Sequence, residues 1–179
     1  MTVERSVDAT LVLIKVIAHG WSFFLQHWDE AASQYQFFGG QLKPAEDPIE
    51  AARRELTEEL TPSPGGKPLW FDLTLLTPQP IEIEGSSPTY AVHTAYRFWI
   101  CDAVLRRGRL YVSERERWIG EGDLLSSERT DAQSLRLYQL IDATLPHGIG
   151  GVAVTADLAR VDGEKPGTDN GDAPGPACV

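Results

Sequence analysis

The chain has 179 residues, of which 42% are hydrophobic and 23% charged, a composition typical of a soluble globular protein that buries a sizeable core. Its formal net charge of -10 repels long polyanions, so we expect neither a long nucleic acid nor a membrane surface as a partner. Two cysteines, Cys101 and Cys178, are too few for a metal cluster or a disulfide framework, and no secretory signal is recognisable. We therefore expect a cytoplasmic protein.

The first part of the chain predicts three strands. Thr10–Ala18 is β-branched and almost continuously apolar, which predicts one central strand. Trp21–Trp28 predicts a second strand that forms a hairpin with the first. Tyr35–Phe38 predicts a short aromatic strand that runs into the glycine pair at positions 39 and 40.

The segment from Asp47 to Leu60 predicts an amphipathic helix. Asp47 suits the N-cap and Pro48 suits the first turn. Apolar residues spaced three, four and four apart form the stripe that packs on the core, namely Ile49, Ala52, Leu56 and Leu60. The proline- and glycine-rich residues 61–66 end the helix.

The later elements complete an α+β order. Leu69–Leu76 and Thr89–Leu105 predict strands, separated by a proline-rich turn region. Tyr111–Ile119 predicts an edge strand or a loop, and Leu124–Leu145 contains a helix. This order favours a mixed sheet with flanking helices. We expect one domain over residues 1–146 and a Gly/Pro/Asp-rich tail over 147–179 that is largely disordered.

Three glutamates in the predicted helix indicate chemistry. At about 100° per residue, Glu55, Glu58 and Glu59 fall within a sector of roughly 100° beside the apolar stripe. Close carboxylates repel one another, and a hard divalent cation such as Mg²⁺ or Mn²⁺ relieves that repulsion. Arg54, at the edge of the sector, can orient a carboxylate by a bidentate pair. The alternative is an ordinary solvated acidic face.

The spacing of these residues resembles a known motif. Five residues separate Gly40 from Glu46, and seven more precede the run Arg54–Glu59, which reads RELTEE. This resembles the Nudix box, G-x5-E-x7-R-E-U-x-E-E-x-G-U, where U is aliphatic. Thr61 and Pro62 depart from the pattern at its last glycine and aliphatic positions, which puts the geometry of the helix end in doubt.

The resemblance covers about residues 7–145 and implies a Nudix-like α/β/α sandwich. It implies Mg²⁺-dependent hydrolysis, with Mn²⁺ as an alternative ion, of the pyrophosphate bond in a nucleoside diphosphate linked to another moiety. The metal ligands would be Glu55, Glu58, Glu59 and the carbonyl of Gly40, while Arg54 and Glu46 orient them. The substrate would be a small nucleotide, and homodimers are frequent in the family. The alternative is a catalytically inactive Nudix-fold module that binds nucleotides or regulates.

Two features stay open at this level. The general base is Glu55, or else a glutamate on a later loop, Glu114 or Glu116, although the alternating charges there equally fit a solvated edge. Aromatic side chains that can stack a nucleobase are more often core residues; they are Phe23, Trp28, Tyr35, Phe37, Tyr96 and Trp99.

Overall fold

The computed structural model describes residues 4–86, 92–154 and 161–163. Its helices are α1 (Pro48–Glu59), α2 (Glu121–Leu124) and α3 (Ala132–Thr144), followed by a 3₁₀ turn at Ile149–Gly151. Its strands are β1 (Arg5–Leu13), β2 (Lys15–Ala18), β3 (Trp21–Asp29), β4 (Gln34–Gln36), β5 (Phe38–Gln41), β6 (Trp70–Leu75), β7 (Ile81–Ser86), β8 (His93–Arg107), β9 (Leu110–Val112), β10 (Glu116–Gly120) and β11 (Val161–Gly163). None of the helices in this part of the chain is long and apolar enough to cross a membrane.

Two sheets and the helices around them confirm the predicted α+β class. The larger sheet has the order β5-β1-β8-β6, and β7 also pairs with β8. It is mixed, because β1 and β8 run parallel while the other pairs are antiparallel. The second sheet has the order β10-β3-β2, with β4 also on β3.

Helices cover both faces of the larger sheet. Because side chains alternate along a strand, Leu11 and Leu13 of β1 face one way and Val12 the other. Leu11 and Leu13 share a buried cluster with Leu137 and other residues of α3. Val12 shares a second cluster with the α1 residues Ala52 and Leu56. The layered arrangement therefore packs α1 against one face of the sheet.

The predicted single strand over Thr10–Ala18 is wrong. The chain leaves the larger sheet after Leu13 and enters the second sheet at Lys15, and the residue between them, Ile14, is fully buried. Apolar periodicity cannot reveal this crossing because both flanking strands are buried. The hairpin is confirmed, with Ala18 opposite Trp21. Residues 35–38 are divided in the same way, since β4 pairs with β3 and β5 pairs with β1.

The predicted helix is confirmed with its cap. The Asp47 carboxylate accepts the backbone N–H groups of Ile49 at 2.8 Å and Glu50 at 3.0 Å. The last turn closes with the Leu60 N–H donating to the Leu56 carbonyl at 3.1 Å. Beyond it, an antiparallel bridge joins Pro62 to Leu110 of β9. This bridge replaces the helix-ending glycine that the Nudix pattern expects.

Between α1 and α3, the described residues contain one strand in a region that the sequence predicted to be a turn. β6 is confirmed, but β7 occupies the region predicted to be a proline-rich turn. Ile81 and Ile83 are buried and Glu82 is exposed, a short alternation that the neighbouring prolines obscured. β8 begins at His93, and the first residues of the predicted strand, 89–91, lie outside the described residues. The segment 111–119 divides between β9 and β10.

The packed structure continues beyond residue 146. α3 confirms the helix expected within Leu124–Leu145. After it, Ile149 is 0% exposed and Val152 is 5% exposed, and both belong to the cluster around α3. β11 pairs in parallel with β9. Because residues 155–160 and 164–179 lie outside the described residues, the predicted boundary and the disordered tail stay predictions.

Candidate metal and phosphate site

The predicted glutamates lie where α1 meets the glycine pair of β5. A Cβ atom placed on Gly40 would come within 2.3 Å of Oε1 of Glu55. Any side chain at this position would displace the carboxylate, so a glycine lets the helix and the strand approach. The backbone of Gly40 and the Glu55 carboxylate are therefore direct neighbours, as the motif implies for two ligands of one ion.

Arg54 ties the loop before α1 to its acidic face. Its Nε donates to Oε1 of Glu46 at 2.9 Å and its Nη2 donates to Oε2 at 3.0 Å, which makes a bidentate pair. Its Nη1 donates to Oε1 of Glu55 at 2.5 Å and lies 3.7 Å from Oε2 of Glu58. The hydrogen bonds from Arg54 lower the pKa of Glu46 to about 2. One guanidinium thus orients the loop and two of the glutamates.

Glu59 is the least satisfied of the three glutamates. Its side chain is 25% exposed, and Oε2 is buried without a hydrogen-bond partner among the described residues. Burial, followed by the negative charge of Glu55, raises the pKa of Glu59 to about 7, although the backbone N–H of Gly39 opposes the shift. A bound cation would relieve both the repulsion and the missing partner.

Glu58 and Glu59 face an acidic cleft of about 540 Å³ between α1 and the second sheet, which we call the glutamate cleft. It is lined by His27, Trp28, Asp29, Glu30, Gln36, Gly39, Glu58, Glu59, Thr61, Ser113, Arg115 and Glu116. Acids outnumber basic groups in this lining, so its electrostatic field opposes the entry of an anionic phosphate unless a cation offsets it.

His27 is a site residue that the sequence did not indicate. Its Nδ1 lies 3.9 Å from Oε1 of Glu59, and its ring stacks on Phe38 with the centroids 4.9 Å apart. Burial lowers the pKa of His27, and its Nε2 is buried without a partner among the residues described. No spacing in the sequence links His27 to the helix, because the two meet only where the second sheet lies against α1 in the folded chain.

The two loop glutamates have different positions. Glu116 pairs across the strands with His27 and lines the glutamate cleft. Its Oε2 accepts the Ser113 N–H at 2.7 Å and the Ser113 hydroxyl at 2.5 Å. Glu114 is exposed and does not line the cleft. The structure therefore brings Glu116, but not Glu114, to the predicted site.

The described side chains at this site do not form a complete set of metal ligands as they stand. Within residues 4–86, 92–154 and 161–163, no three acidic, histidine or cysteine side chains converge closely enough to hold an ion as they stand. Arg54 already donates to Glu55 beside Glu58. The donors nevertheless suit Mg²⁺ or Mn²⁺, which prefer carboxylate and carbonyl oxygens, and the unpartnered Oε2 of Glu59 suits a cation.

A second cavity of about 310 Å³ adjoins the glutamate cleft and shares Asp29, Gln36 and Gly39 with it. Two of the predicted stacking residues, Phe37 and Tyr96, line this adjoining cavity. The others lie elsewhere: Trp28 lines the glutamate cleft, Phe23 is core, Tyr35 lies under the Arg117 guanidinium, and Trp99 lines a separate pocket near Asp8.

Comparison with known proteins gives structural matches only. No protein-family model matches the sequence, and a search of curated proteins found no match. A C. elegans Ap4A hydrolase matches with a TM-score of 0.53 and 18% identity over 77% of this chain and 97% of that chain. Its binary complex matches with a TM-score of 0.52 and 18% identity over 76% and 96%. A NUDIX-family hydrolase from Clostridium perfringens gives a TM-score of 0.47 and 19% identity over 76% and 96%. The fold is Nudix-like, as the motif predicted.

Proposed function

We propose that this chain of Nudix-like fold is a metal-dependent hydrolase of the pyrophosphate bond in a nucleoside diphosphate linked to another moiety. The observation that carries the proposal is the position of Glu55, Glu58 and Glu59 on one face of α1, with the Glu55 carboxylate against Gly40. Among the described residues, the buried Oε2 of Glu59 has no hydrogen-bond partner. The proposed ion is Mg²⁺, with Mn²⁺ as the alternative. We also propose a cytoplasmic location and a homodimer. The chain would divide into a domain over residues 1–146 and a tail over 147–179.

Four oxygen donors would hold the ion: the carboxylates of Glu55, Glu58 and Glu59, and the carbonyl of Gly40. When bound, the ion neutralises phosphate charge and lowers the pKa of a coordinated water. Arg54 and Glu46 fix the loop and the Glu55 carboxylate, which limits the reorganisation needed when substrate binds. The acidic cleft excludes phosphates that arrive without a cation.

Two residues are candidates for the general base. Glu55 lies nearest to Gly40 and already accepts a hydrogen bond from Arg54. Glu116 lies across the cleft, and Ser113 holds one of its oxygens in place. Either carboxylate can take a proton from the attacking water and leave a hydroxide to bond to phosphorus as the bridging P–O bond breaks. The position of Glu114 does not support the same role.

The inactive-module alternative drew its support from Thr61 and Pro62. α1 nevertheless keeps its helical geometry as far as Glu59, and the backbone bridge from Pro62 to Leu110 holds the chain that follows. The departure from the Nudix pattern therefore leaves the carboxylates on their common face. This geometry favours an enzyme over a binding module.

A substrate panel with product identification tests the proposal. The panel contains ADP-ribose, Ap4A, a nucleotide sugar, NADH and an oxidised nucleoside triphosphate, each with and without Mg²⁺. We expect Mg²⁺-dependent cleavage of at least one member, and a loss of about a hundredfold or more in Glu58→Gln. Glu50→Gln, which changes an exposed acid in the first turn of the same helix, is the matched control. Nucleotide binding without any cleavage would favour the inactive module.

A further inference from the structure

An apolar groove lies between α1 and β6, and we call it the β6 groove. Its volume is about 330 Å³, and apolar side chains dominate its lining, among them Leu56, Leu60, Trp70 and Leu73. Arg53 is the one charged residue that lines it within the described part of the chain. A partner that fills this groove must therefore present apolar side chains to it, because a polar group there would lose its hydration without gaining a partner.

β6 itself forms an edge of the larger sheet. It has β8 on one side and no strand on the other among the residues that the structure describes. Trp70, at the start of this edge, is 54% exposed, and the Arg53 guanidinium lies 4.9 Å from the centre of its ring. The Phe71 carbonyl accepts a hydrogen bond from Nη1 of Arg53 at 3.2 Å. An edge strand beside an apolar groove suits an extended peptide, whose main chain pairs with the strand while alternate side chains enter the groove.

Basic side chains gather around this edge, although the chain as a whole has a net charge of -10. Arg107 of β8 lies opposite Trp70. The turn after it packs on the residues before β6, since a Cβ atom on Gly108 would lie 2.9 Å from the Lys67 carbonyl oxygen. Five exposed basic residues therefore share this surface: Arg53, Lys67, Arg106, Arg107 and Arg109. Asp72, the one acid of β6, pairs with one of them. The surface is locally basic and complements an acidic partner.

We propose that β6 and the β6 groove bind an extended acidic segment of a partner protein, with alternate apolar side chains in the groove and carboxylates beside the basic residues. The apolar lining favours a peptide over a nucleic acid, whose phosphate backbone carries no apolar side chains at alternate positions. Glu58 and Glu59 line the glutamate cleft and do not line this groove, so the proposal does not rest on the hydrolase. The alternative is that the cations only discourage two copies of the edge from pairing.

Two labelled peptides of equal charge test the proposal on the full-length protein, with binding followed by fluorescence anisotropy at physiological salt. The first alternates valine with glutamate, and the second has serine in place of every valine. We expect the valine peptide to bind about tenfold more tightly, because only its side chains can fill the groove. Equal affinities would mean that charge attraction alone is responsible. That result, or no binding of the valine peptide at millimolar concentration, would overturn the proposal.

Exposed variants assign the binding to this surface. Lys67→Glu and Arg107→Glu reverse charges beside the groove and should each weaken the valine peptide about tenfold. Trp70→Ala removes part of the apolar lining and should abolish the advantage of the valine peptide over the serine peptide. Arg136→Glu, at an exposed position of α3, is the matched control and should leave binding unchanged. Circular dichroism establishes that each variant is folded. An equal loss in folded Arg136→Glu would mean that binding follows the net charge of the chain, which contradicts the proposal.

Hydrogen–deuterium exchange of the wild-type protein locates the bound peptide. Backbone amides that pair with an added strand exchange more slowly, so we expect the valine peptide to slow exchange within Trp70–Leu75. Slower exchange elsewhere, with these amides unchanged, would overturn the proposal. Competition against the labelled peptide tests other occupants, namely a peptide of residues 164–179 of this chain, a short oligothymidylate and phosphatidylserine vesicles. Displacement by any of these at a lower concentration than the unlabelled valine peptide would assign the surface to that occupant and contradict a partner protein.

Discussion

Two carboxylates, the half-buried Glu59 and the buried Asp102, have raised pKa values in opposite surroundings. Asp102 is 5% exposed and lies near Lys15, a cation that is itself 4% exposed and donates to the Gly150 carbonyl at 2.6 Å. Glu59 has acidic neighbours, and the charges of Glu55, Asp29 and Glu58 all raise its pKa. Asp102 thus lies near a cationic side chain of the protein, whereas the charges that shift the pKa of Glu59 are all negative. The metal ion proposed above would supply the cation at Glu59.

The largest effect on stability should come from removing the cation beside Asp102. Lys15→Met leaves a buried carboxylate without its neighbouring charge and should lower the free energy of unfolding by about 3 kcal/mol at pH 8. The loss should shrink below pH 6, because burial raises the pKa of Asp102 to about 6 and the group then takes up a proton. Urea denaturation at both pH values measures the change. Lys67→Met, at an exposed position, is the control and should alter stability by less than about 0.5 kcal/mol.

At the candidate site, removing a charge should change the free energy of unfolding in the opposite direction. In the metal-free protein the negative charge of Glu59 is unfavourable, because burial and neighbouring carboxylates oppose it. Glu59→Gln removes this charge, so it should raise the free energy of unfolding by about 2 kcal/mol at pH 8. Glu58→Gln, at a side chain that is 57% exposed, should have a smaller effect. A Glu59→Gln protein that is less stable than the wild type without metal would contradict the comparison.

The two carboxylates should also lower the stability over different pH ranges. A folded pKa above the unfolded value means that the folded state binds more protons, so stability falls as pH rises between the two values. For Asp102 the window runs from 3.8 to about 6, and for Glu59 from 4.5 to about 7. We expect Glu59→Gln to flatten the stability profile of the metal-free protein between pH 6 and 7. If the decline in that interval persisted unchanged, another group would be responsible for it.

The smallest effect should be that of Arg54→Lys. Lysine keeps the charge near Glu55 but loses the bidentate pair with Glu46, so we expect kcat on the identified substrate to fall about tenfold, with little change in stability. Arg53→Lys is the matched control, since Arg53 donates to the Phe71 carbonyl and lies over Trp70. Equal losses in both variants would mean that Arg54 has no particular role at the site.

The features that the sequence predicted correctly depend on interactions between residues that are close together in the chain. The cap at Asp47, the apolar stripe and the spacing of the glutamates depend on residues within one helix, and the structure contains all three. The approach of Gly40 to Glu55 also follows from a fixed short spacing.

The remaining features depend on contacts between distant residues. The crossing at Ile14 is hidden because both flanking strands are buried, and β7 is hidden by the prolines beside it. His27 and Glu116 reach the candidate site through the pairing of β3 with β10, at a separation of 89 positions that no local pattern encodes. The electrostatic interaction of Asp102 with Lys15 likewise requires two different sheets to meet.

Thermal unfolding at increasing Mg²⁺ concentration, with wild type and Glu59→Gln side by side at pH 8, tests the central claim most directly. A ligand that binds the folded state at a hundred times its Kd adds about 2.7 kcal/mol, a shift of several degrees in Tm. We expect that shift in the wild type and its loss in Glu59→Gln, which begins from the higher metal-free Tm. An unchanged Tm in the wild type, or an equal Mg²⁺ shift in both proteins, would contradict a metal site at Glu59.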